Sequence, residues 1–374
     1  MTAPLSTGPL AQAPVAHLTV ERPGLARYRR LVTIPLVLIS AAVLVSLVAN
    51  AYWISTLTSA AALALAAAGV GLLYGQLGLV SLCQFGLIGV GGWVTLRTGF
   101  AFGWPFELSL LSGGVAASLV GILCGLPALR LKGLYLALVT LMLAGGFQVV
   151  INAFGFPDGG DGFLGRADAS QRLMLPRPLL ATGNEAYFLY AVIVLALGLM
   201  LIELHRRTRP GRSWAMIRAG ETTALSAGVN LLLYKAWAFA LAGFLAGLAG
   251  GVLAGGVGQL DGRAFSAAES LNLFALTVVG GAYHWFGAVI AGLLLRAVPS
   301  LLTDHGVDGY LAMVIFGAAL LHALVTAPTG IAGQIAGLGR WLTGLIASES
   351  TPSPAQQEAP ASDKLTADTG DRHP

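Results

Sequence analysis

The chain has 374 residues, of which 56% are hydrophobic and only 10% are charged, and its formal net charge is +4. A water-soluble domain carries about 25% charged residues, so this composition excludes a soluble globular protein. The basic residues lie beside hydrophobic segments and form no stripe with interleaved aromatic side chains, which argues against nucleic acid as a partner. We therefore predict an all-α polytopic membrane protein in contact with lipid.

About ten transmembrane helices are predicted, because a bilayer core about 30 Å thick requires about 20 apolar residues per helix. In chain order they are 31–53, 57–76, 79–98, 108–129, 134–152, 187–204, 233–257, 268–283, 285–302 and 309–327. Segment 79–98 is rich in glycine, so it is either a full span or a broken or re-entrant helix. Segment 268–283 is short and begins with polar residues, so it is either a span or half of one.

Polar tails flank this membrane domain, which we place at 31–333. Residues 1–30 and 347–374 carry mostly Pro, Ala, Ser, Thr and charged residues, a composition typical of disordered tails. The arginines before residue 31 imitate the start of a signal peptide. The apolar run 31–48 exceeds the about 7–15 residues of a signal-peptide core, so we predict a retained first span.

The distribution of basic residues predicts the orientation. With ten spans and an internal N-terminus, the inner segments hold fifteen of the 21 Lys and Arg residues. We therefore expect a plasma-membrane protein with both tails in the cytoplasm and the long segment 153–186 on the outer side.

A glycine stripe marks the seventh predicted span. Gly243, Gly247, Gly251 and Gly255 recur every four residues, so they lie near one helix face where a second backbone can approach closely. This pattern predicts a helix buried in the bundle or at a subunit interface.

Several kinds of catalytic and cofactor site are absent from the sequence. The three lysines lie outside any Gly-Lys-Ser/Thr phosphate loop, and neither His-Glu-x-x-His nor Gly-x-Ser-x-Gly occurs. The two cysteines lie in apolar runs and support no metal site. We expect no catalytic residue, no metal and no directly bound cofactor, which argues against an intramembrane enzyme.

Uncharged polar residues within the spans are candidates for a translocation pathway, because burying them in lipid is costly. They are Gln84, Thr140, Gln148, Asn152 and Asn272. The alternative for each is a hydrogen bond between helices that serves packing alone. An ion-gradient-driven secondary transporter would place ionisable residues near the midplane, and no Asp, Glu or His lies at a predicted span centre.

The segment 205–234 is the most informative stretch outside the spans. Its first part is basic, and residues 213–227 predict a short amphipathic helix that could dock in a groove of a soluble partner. The alternative is a solvated loop that holds positive charges, with Arg212 and Arg218 as topology anchors.

This segment also carries a family resemblance. The run Gly211–Arg218, followed by Glu221, Ala224, Gly228 and Lys235, resembles the cytoplasmic signature of the branched-chain amino acid ABC transporter permeases, in particular the LivM-type subunit. Residues 75–93, 129–141, 265–287 and 328–333 resemble further motifs of this family in the same order, although Cys83 and Thr329 depart from them. The likeness covers about residues 57–333.

The resemblance implies the permease subunit of an ATP-binding cassette importer for branched-chain amino acids, another amino acid, urea or a short amide, in a prokaryotic inner membrane. It implies three kinds of partner: a LivH-type permease, two cytoplasmic ATPases that use the ATP, and an extracytoplasmic solute-binding protein. It assigns ATPase coupling to Glu221, Ala224 and Gly228. The charges of Arg212 and Arg218 are candidates for orienting this contact, with the topology anchor as the alternative.

Overall fold

The computed structural model describes residues 29–131, 133–168, 172–308 and 330–337, together with five isolated positions between 311 and 321. The elements in these ranges are helical, without a β-strand, which confirms the predicted fold class. The helices are α1 Arg29–Val48, α2 Ala51–Leu72, α3 Gln84–Phe102, α4 Phe106–Gly125, α5 Gly133–Phe154, α6 Asn184–Arg207, α7 Arg209–Ala219, α8 Glu221–Ser226, α9 Leu231–Val257, α10 Ala267–Gly280 and α11 Trp285–Asp304. A π-helical turn, Leu73–Leu77, extends α2, and short 3-10 turns cover Leu126–Leu129 and Gly262–Ala264.

Eight of the described helices are long and apolar enough to cross a membrane, so the protein is a multi-pass membrane protein. They are α1 to α6, α9 and α11, with the π turn continuing α2. The predicted span 268–283 corresponds to α10, which has only 14 residues and is too short for a full crossing. The predicted span 309–327 and both predicted tails lie almost entirely outside the described residues.

Helices α2 and α9 form the centre of the bundle and are buried over most of their lengths. Both are rich in alanine and glycine, so neighbouring helices approach on all sides. Helix α9 packs against α2, α3 and α4, whereas α2 also contacts α6 and α11. Helices α1, α4 and α5 expose rows of large apolar side chains, as expected of surfaces in contact with lipid.

The boundary between the first two spans is a correction to the prediction. The span was predicted to cover 31–53, but the observed helix α1 ends at Val48 and α2 begins at Ala51. The side chain of Asn50 accepts a hydrogen bond from the backbone N–H of Trp53 at 3.0 Å, which caps α2. The apolar run continues through this point, so the prediction separated the two helices but placed their boundary a few residues too late.

The segment 79–98 begins as a non-helical stretch and continues as α3, which is itself unbroken and long enough to cross a membrane. Gly78 has φ of 73°, a left-handed conformation that favours glycine, and it ends the π turn. Residues 78–83 are not helical, and α3 begins only at Gln84 and continues to Phe102. The break therefore places the first turn of α3 well inside the bundle.

The two ends of the bundle differ in charge. We call the end that carries α7, α8 and the start of α9 the basic end, since it includes Arg206, Arg207, Arg209, Arg212, Arg218 and Lys235. The far end carries the long segment 155–183 and the α9–α10 connection. In that segment Asp158 forms an ion pair with Arg172 at 3.3 Å and accepts a hydrogen bond from the backbone N–H of Ala167.

Candidate functional site

The predicted coupling segment forms the short helices α7 and α8 at the basic end, and a buried tryptophan holds them in place. Trp214 is fully buried, and its indole Nε1 donates a hydrogen bond of 2.9 Å to the carbonyl of Tyr234. Ile217, one turn later, is also buried in the same apolar cluster as Leu73 and Phe239. The segment is therefore a packed structure and not a solvated loop.

Arg218 joins α7 to two other parts of the bundle. Its guanidinium donates hydrogen bonds to the carbonyl of Gly75, in the π turn, and to the hydroxyl of Tyr283 at 3.0 Å. The guanidinium carbon also lies 4.9 Å from the centre of the Tyr283 ring, a cation–π contact. A displacement of α7 would therefore pull on both the end of α2 and the α10–α11 turn.

An ion pair joins α8 to the central helix α9. Lys235 Nζ lies 2.8 Å from Glu221 Oε1, with the lysine side chain only 1% exposed and the glutamate 19% exposed. Ala224, one turn after Glu221, is fully buried. Glu221 and Ala224 thus face the permease itself and hold α8 in place.

The remaining residues of the segment form an outward face, which we call the α7–α8 surface: Arg212, Met216, Thr222, Thr223, Leu225 and Gly228. Leu225 is 56% exposed and Met216 is 38% exposed, so both present apolar surface on this face. Gly228 has φ of 77° and ends α8, its N–H donating to the carbonyl of Leu225 at 2.9 Å. Of the five predicted coupling residues, Arg212 and Gly228 lie on this surface, Arg218, Glu221 and Ala224 make internal contacts, and their coupling role stays a prediction.

The glycine stripe lies at the contacts of α9 with its neighbours. A Cβ atom added at Gly243 would lie 2.5 Å from the carbonyl oxygen of Ala117, and one at Gly247 would lie 2.6 Å from that of Gly113. Added Cβ atoms at Gly251 and Gly255 would meet side chains of α3, α4 and α6 instead. The stripe therefore permits α4 to pack backbone against backbone on α9.

Three of the predicted pathway residues form hydrogen bonds with backbone groups near helix ends and between helices. Thr140 Oγ1 accepts a hydrogen bond from the N–H of Leu82 at 2.9 Å, in the non-helical break before α3. Gln84 Nε2 donates to the carbonyl of Ala242 at 3.0 Å, and Gln148 Oε1 accepts from the N–H of Ala267 at 3.1 Å. Each of these hydrogen bonds fits the alternative in which the side chain serves packing between helices. None of them tests a role in transport.

The other two pathway candidates line separate cavities toward the far end. Asn152 borders a cavity of about 740 Å³ that is also lined by Asp158, Arg166, Arg172 and Arg263. Asn272 borders a cavity of about 580 Å³ between α2, α9, α10 and α11. The two cavities share the residues of the α9–α10 connection, Gln259 to Asp261.

Two contributors to this arrangement were not among the predicted site residues. Ser270 of α10 accepts a hydrogen bond from the N–H of Phe85 at 3.0 Å, which caps α3 from a position 185 residues away. Tyr283 holds Arg218, as described above. No local pattern in the sequence marks either residue, because each acts through a long-range contact.

Within the described part of the chain, no group of three or more His, Cys, Asp or Glu side chains is placed to hold a metal ion.

The family described as the permease component of branched-chain amino acid transport systems matches residues 52–324. The chain is similar to the high-affinity branched-chain amino acid transport system permease protein LivM of Escherichia coli (strain K12), with 28% identity over 70% of this chain and 66% of that protein. The LivM protein of Salmonella typhimurium is 26% identical over the same shares. The autoinducer 2 import system permease protein LsrC of Yersinia pestis (strain Pestoides F) is 27% identical over 64% of this chain and 66% of that relative.

The chain spans about two thirds of the length of the LivM relatives it matches. No solved structure matches it. The matched proteins are permeases of import systems, which supports the ABC permease interpretation over a secondary transporter. Because the family match extends from the start of α2 beyond the end of α11 and includes the coupling segment, the chain belongs to the family of permease components of branched-chain amino acid transport systems.

Proposed function

We propose that the protein is the membrane-spanning permease subunit of an ABC importer that moves branched-chain amino acids or a related small polar solute across a prokaryotic plasma membrane. The observation that carries this proposal is the α7–α8 segment, a packed pair of short helices that presents an exposed surface at the basic end. The names of the relatives supply the solute class. The basic end then faces the cytoplasm, in agreement with the positive-inside rule.

In this proposal the α7–α8 surface docks on a cytoplasmic ATPase. Leu225 and Met216 supply apolar contact, and Arg212 supplies charge that orients the partner. Glu221, Ala224 and Arg218 act from behind the surface, since they fix it to α9, α2 and the α10–α11 turn. ATP hydrolysis takes place on the partner, because the chain carries no phosphate loop.

The full importer in this proposal contains a second, LivH-type permease, two ATPases and an extracytoplasmic binding protein. ATP binding draws the ATPases together and moves the docked α7–α8 surfaces. The permeases then change between outward-open and inward-open forms, each of which is stabilised by different partners. The permease itself catalyses no reaction and binds no cofactor.

Affinity purification of the tagged protein from its native membrane in mild detergent, followed by mass spectrometry, tests the proposal. We expect two ATPases and a second permease to co-purify. Recovery of this chain alone, under conditions in which a control ABC complex survives, would contradict the assembly and favour a self-contained transporter.

Cross-linking tests the docking surface itself. A cysteine at the exposed position Thr223 should form a cross-link to the ATPase, whereas a cysteine at the buried position Ala224 should not. Equal cross-linking from both positions would show that the α7–α8 surface is wrongly assigned.

A further inference from the structure

The cavity of about 580 Å³ between α2, α9, α10 and α11 contains charges of both signs. Glu269 of α10 and Arg296 of α11 both line it, and Asn272 of α10 lines it beside them. Each of these helices is part of the membrane bundle, where a charged side chain in contact with lipid is costly. The two charges are therefore expected to face this cavity rather than lipid.

The two charges lie at the same level of the bundle. Helices α10 and α11 are antiparallel and are joined by a tight turn at residues 281–284. Glu269 precedes the last residue of α10 by 11 positions, and Arg296 follows the first residue of α11 by 11 positions. At 1.5 Å per residue, both lie about 17 Å along their helices from the turn. Asn272 follows Glu269 by one helical turn on the same face.

Neither charged group makes a polar contact with another described residue. Among the described residues, neither the Glu269 carboxylate nor the Arg296 guanidinium forms an ion pair or a hydrogen bond. The spacing of Ser266 and Glu269 is that of a capping box, and Ser266 Oγ does accept from the N–H of Glu269 at 3.3 Å. The carboxylate does not complete the box and instead borders the cavity.

The rest of the cavity lining is largely apolar. Leu63, Leu253 and Leu295 contribute aliphatic surface, and Phe85 and Phe265 lie together, with ring centres 6.5 Å apart. Phe85 is held in place because Ser270 caps its backbone N–H. The cavity thus combines two carboxylates, Glu269 and Asp261, with one guanidinium group and an apolar surface.

We propose that this cavity binds a zwitterionic amino acid with an apolar side chain during its passage through the permease. Arg296 binds the α-carboxylate, Glu269 binds the α-ammonium group, and the aliphatic and phenyl surfaces contact the side chain. This inference rests on the proposed function and assigns a solute site to it that is separate from the α7–α8 surface.

The larger cavity of about 740 Å³ is the approach to this site. It contains Arg166, Arg172 and Arg263 but only two carboxylates, Asp158 and Asp261, and Asp158 is already paired with Arg172. Gln259, Leu260 and Asp261 line both cavities, so the α9–α10 connection is the wall between them. A solute entering from the far end would pass this connection before it reaches Glu269 and Arg296.

A thiol-protection experiment on the purified importer complex tests the site without measuring transport. Asn272→Cys introduces a thiol into the smaller cavity, and its rate of labelling by a small polar maleimide is followed with L-leucine present. At a leucine concentration twice its Kd, we expect the rate to fall about threefold, because one third of the sites stay free. Leucinamide, which lacks the carboxylate, and 4-methylpentanoate, which lacks the ammonium group, should protect much less.

Matched variants separate the two charges from general effects. Arg296→Gln or Glu269→Gln in the Asn272→Cys background should abolish protection by leucine, while Arg296→Lys should retain part of it. Asn152→Cys, in the larger cavity, should be labelled at the same rate with and without leucine.

Three outcomes would overturn the site: no protection of Asn272→Cys by leucine, equal protection by all three compounds, or equal protection of Asn152→Cys. Because co-purification of the ATPases is measured independently, each of these results would leave the proposed importer assembly standing.

Discussion

Lys235 Nζ lies 2.8 Å from Glu221 Oε1, and this ion pair fastens the short helix α8 to the first turns of the central helix α9. The lysine is almost completely buried, so its charge depends on protein partners for solvation.

The first prediction concerns the loss of one partner of this pair. Glu221→Gln should lower the free energy of unfolding by about 2 to 3 kcal/mol, because it leaves a buried ammonium group without its carboxylate. The effect should be at the low end of the range for buried pairs, since Glu221 keeps some contact with water. The melting temperature of the purified protein in detergent measures this change.

Removing both charges provides the control. The double variant Glu221→Leu with Lys235→Met should recover most of the lost stability. If the double variant melts as low as Glu221→Gln, the pair does not carry the stability assigned to it.

The second prediction compares two arginines of α7. Arg218→Ala should strongly reduce solute uptake while the complex still assembles, since it removes the contacts of α7 with Gly75 and Tyr283. Arg212 is exposed on the α7–α8 surface, and Arg212→Lys keeps its charge and should have little effect. Uptake and ATPase activity, measured on the same preparations, distinguish loss of coupling from loss of assembly. Equal uptake by both variants would rule out a special role for Arg218.

The third prediction concerns backbone contact on α9. An added Cβ at Gly250 would collide with the carbonyl oxygen of Ile88 and lie 2.6 Å from the amide nitrogen of Gly92, both of them backbone atoms of α3 that cannot rotate away. Gly250→Ala should therefore reduce the yield of folded protein and its melting temperature. At Gly146 of α5 an added Cβ would meet no atom within 4 Å, so Gly146→Ala should cause no loss. Equal behaviour of the two variants in size-exclusion chromatography would contradict this packing.

The fourth prediction concerns the break before α3. Thr140→Val preserves the shape of the side chain but leaves the buried N–H of Leu82 without its acceptor, at a cost of about 1–3 kcal/mol. Thr303→Val removes a hydroxyl that bonds only to its own exposed helix, at the carbonyl of Pro299, and should cost much less. Thermal unfolding in detergent compares the two, and a similar loss in both would show that the cap on Leu82 contributes little.

Much of the fold could be predicted from the sequence because the length of an apolar run is a local property. The predicted spans that correspond to α4, α5, α6, α9 and α11 agree with the structure to within a few residues at either end. The boundary at Asn50 was missed, because one capping side chain inside a continuous apolar run leaves almost no trace in hydropathy.

The site was harder to predict, because its contacts join distant parts of the chain. The coupling segment was recognised, yet nothing in it showed that Glu221 and Ala224 face inward, since that depends on the position of Lys235. In the same way, Glu269 and Arg296 appear in the sequence as two isolated charges on different predicted helices. Only the antiparallel packing of α10 and α11 brings them to one level of one cavity.

The close packing of α9 has a mechanical consequence. Contacts between backbone atoms have no side-chain torsions through which a displacement could be absorbed, so α9, α3 and α4 should move as a single stiff unit. Helix α9 is 27 residues long and extends about 40 Å, of which about 33 Å lies between the ion pair at Lys235 and the connection that separates the two cavities. We therefore expect a displacement of α8 to be transmitted along α9 to the wall between the cavities.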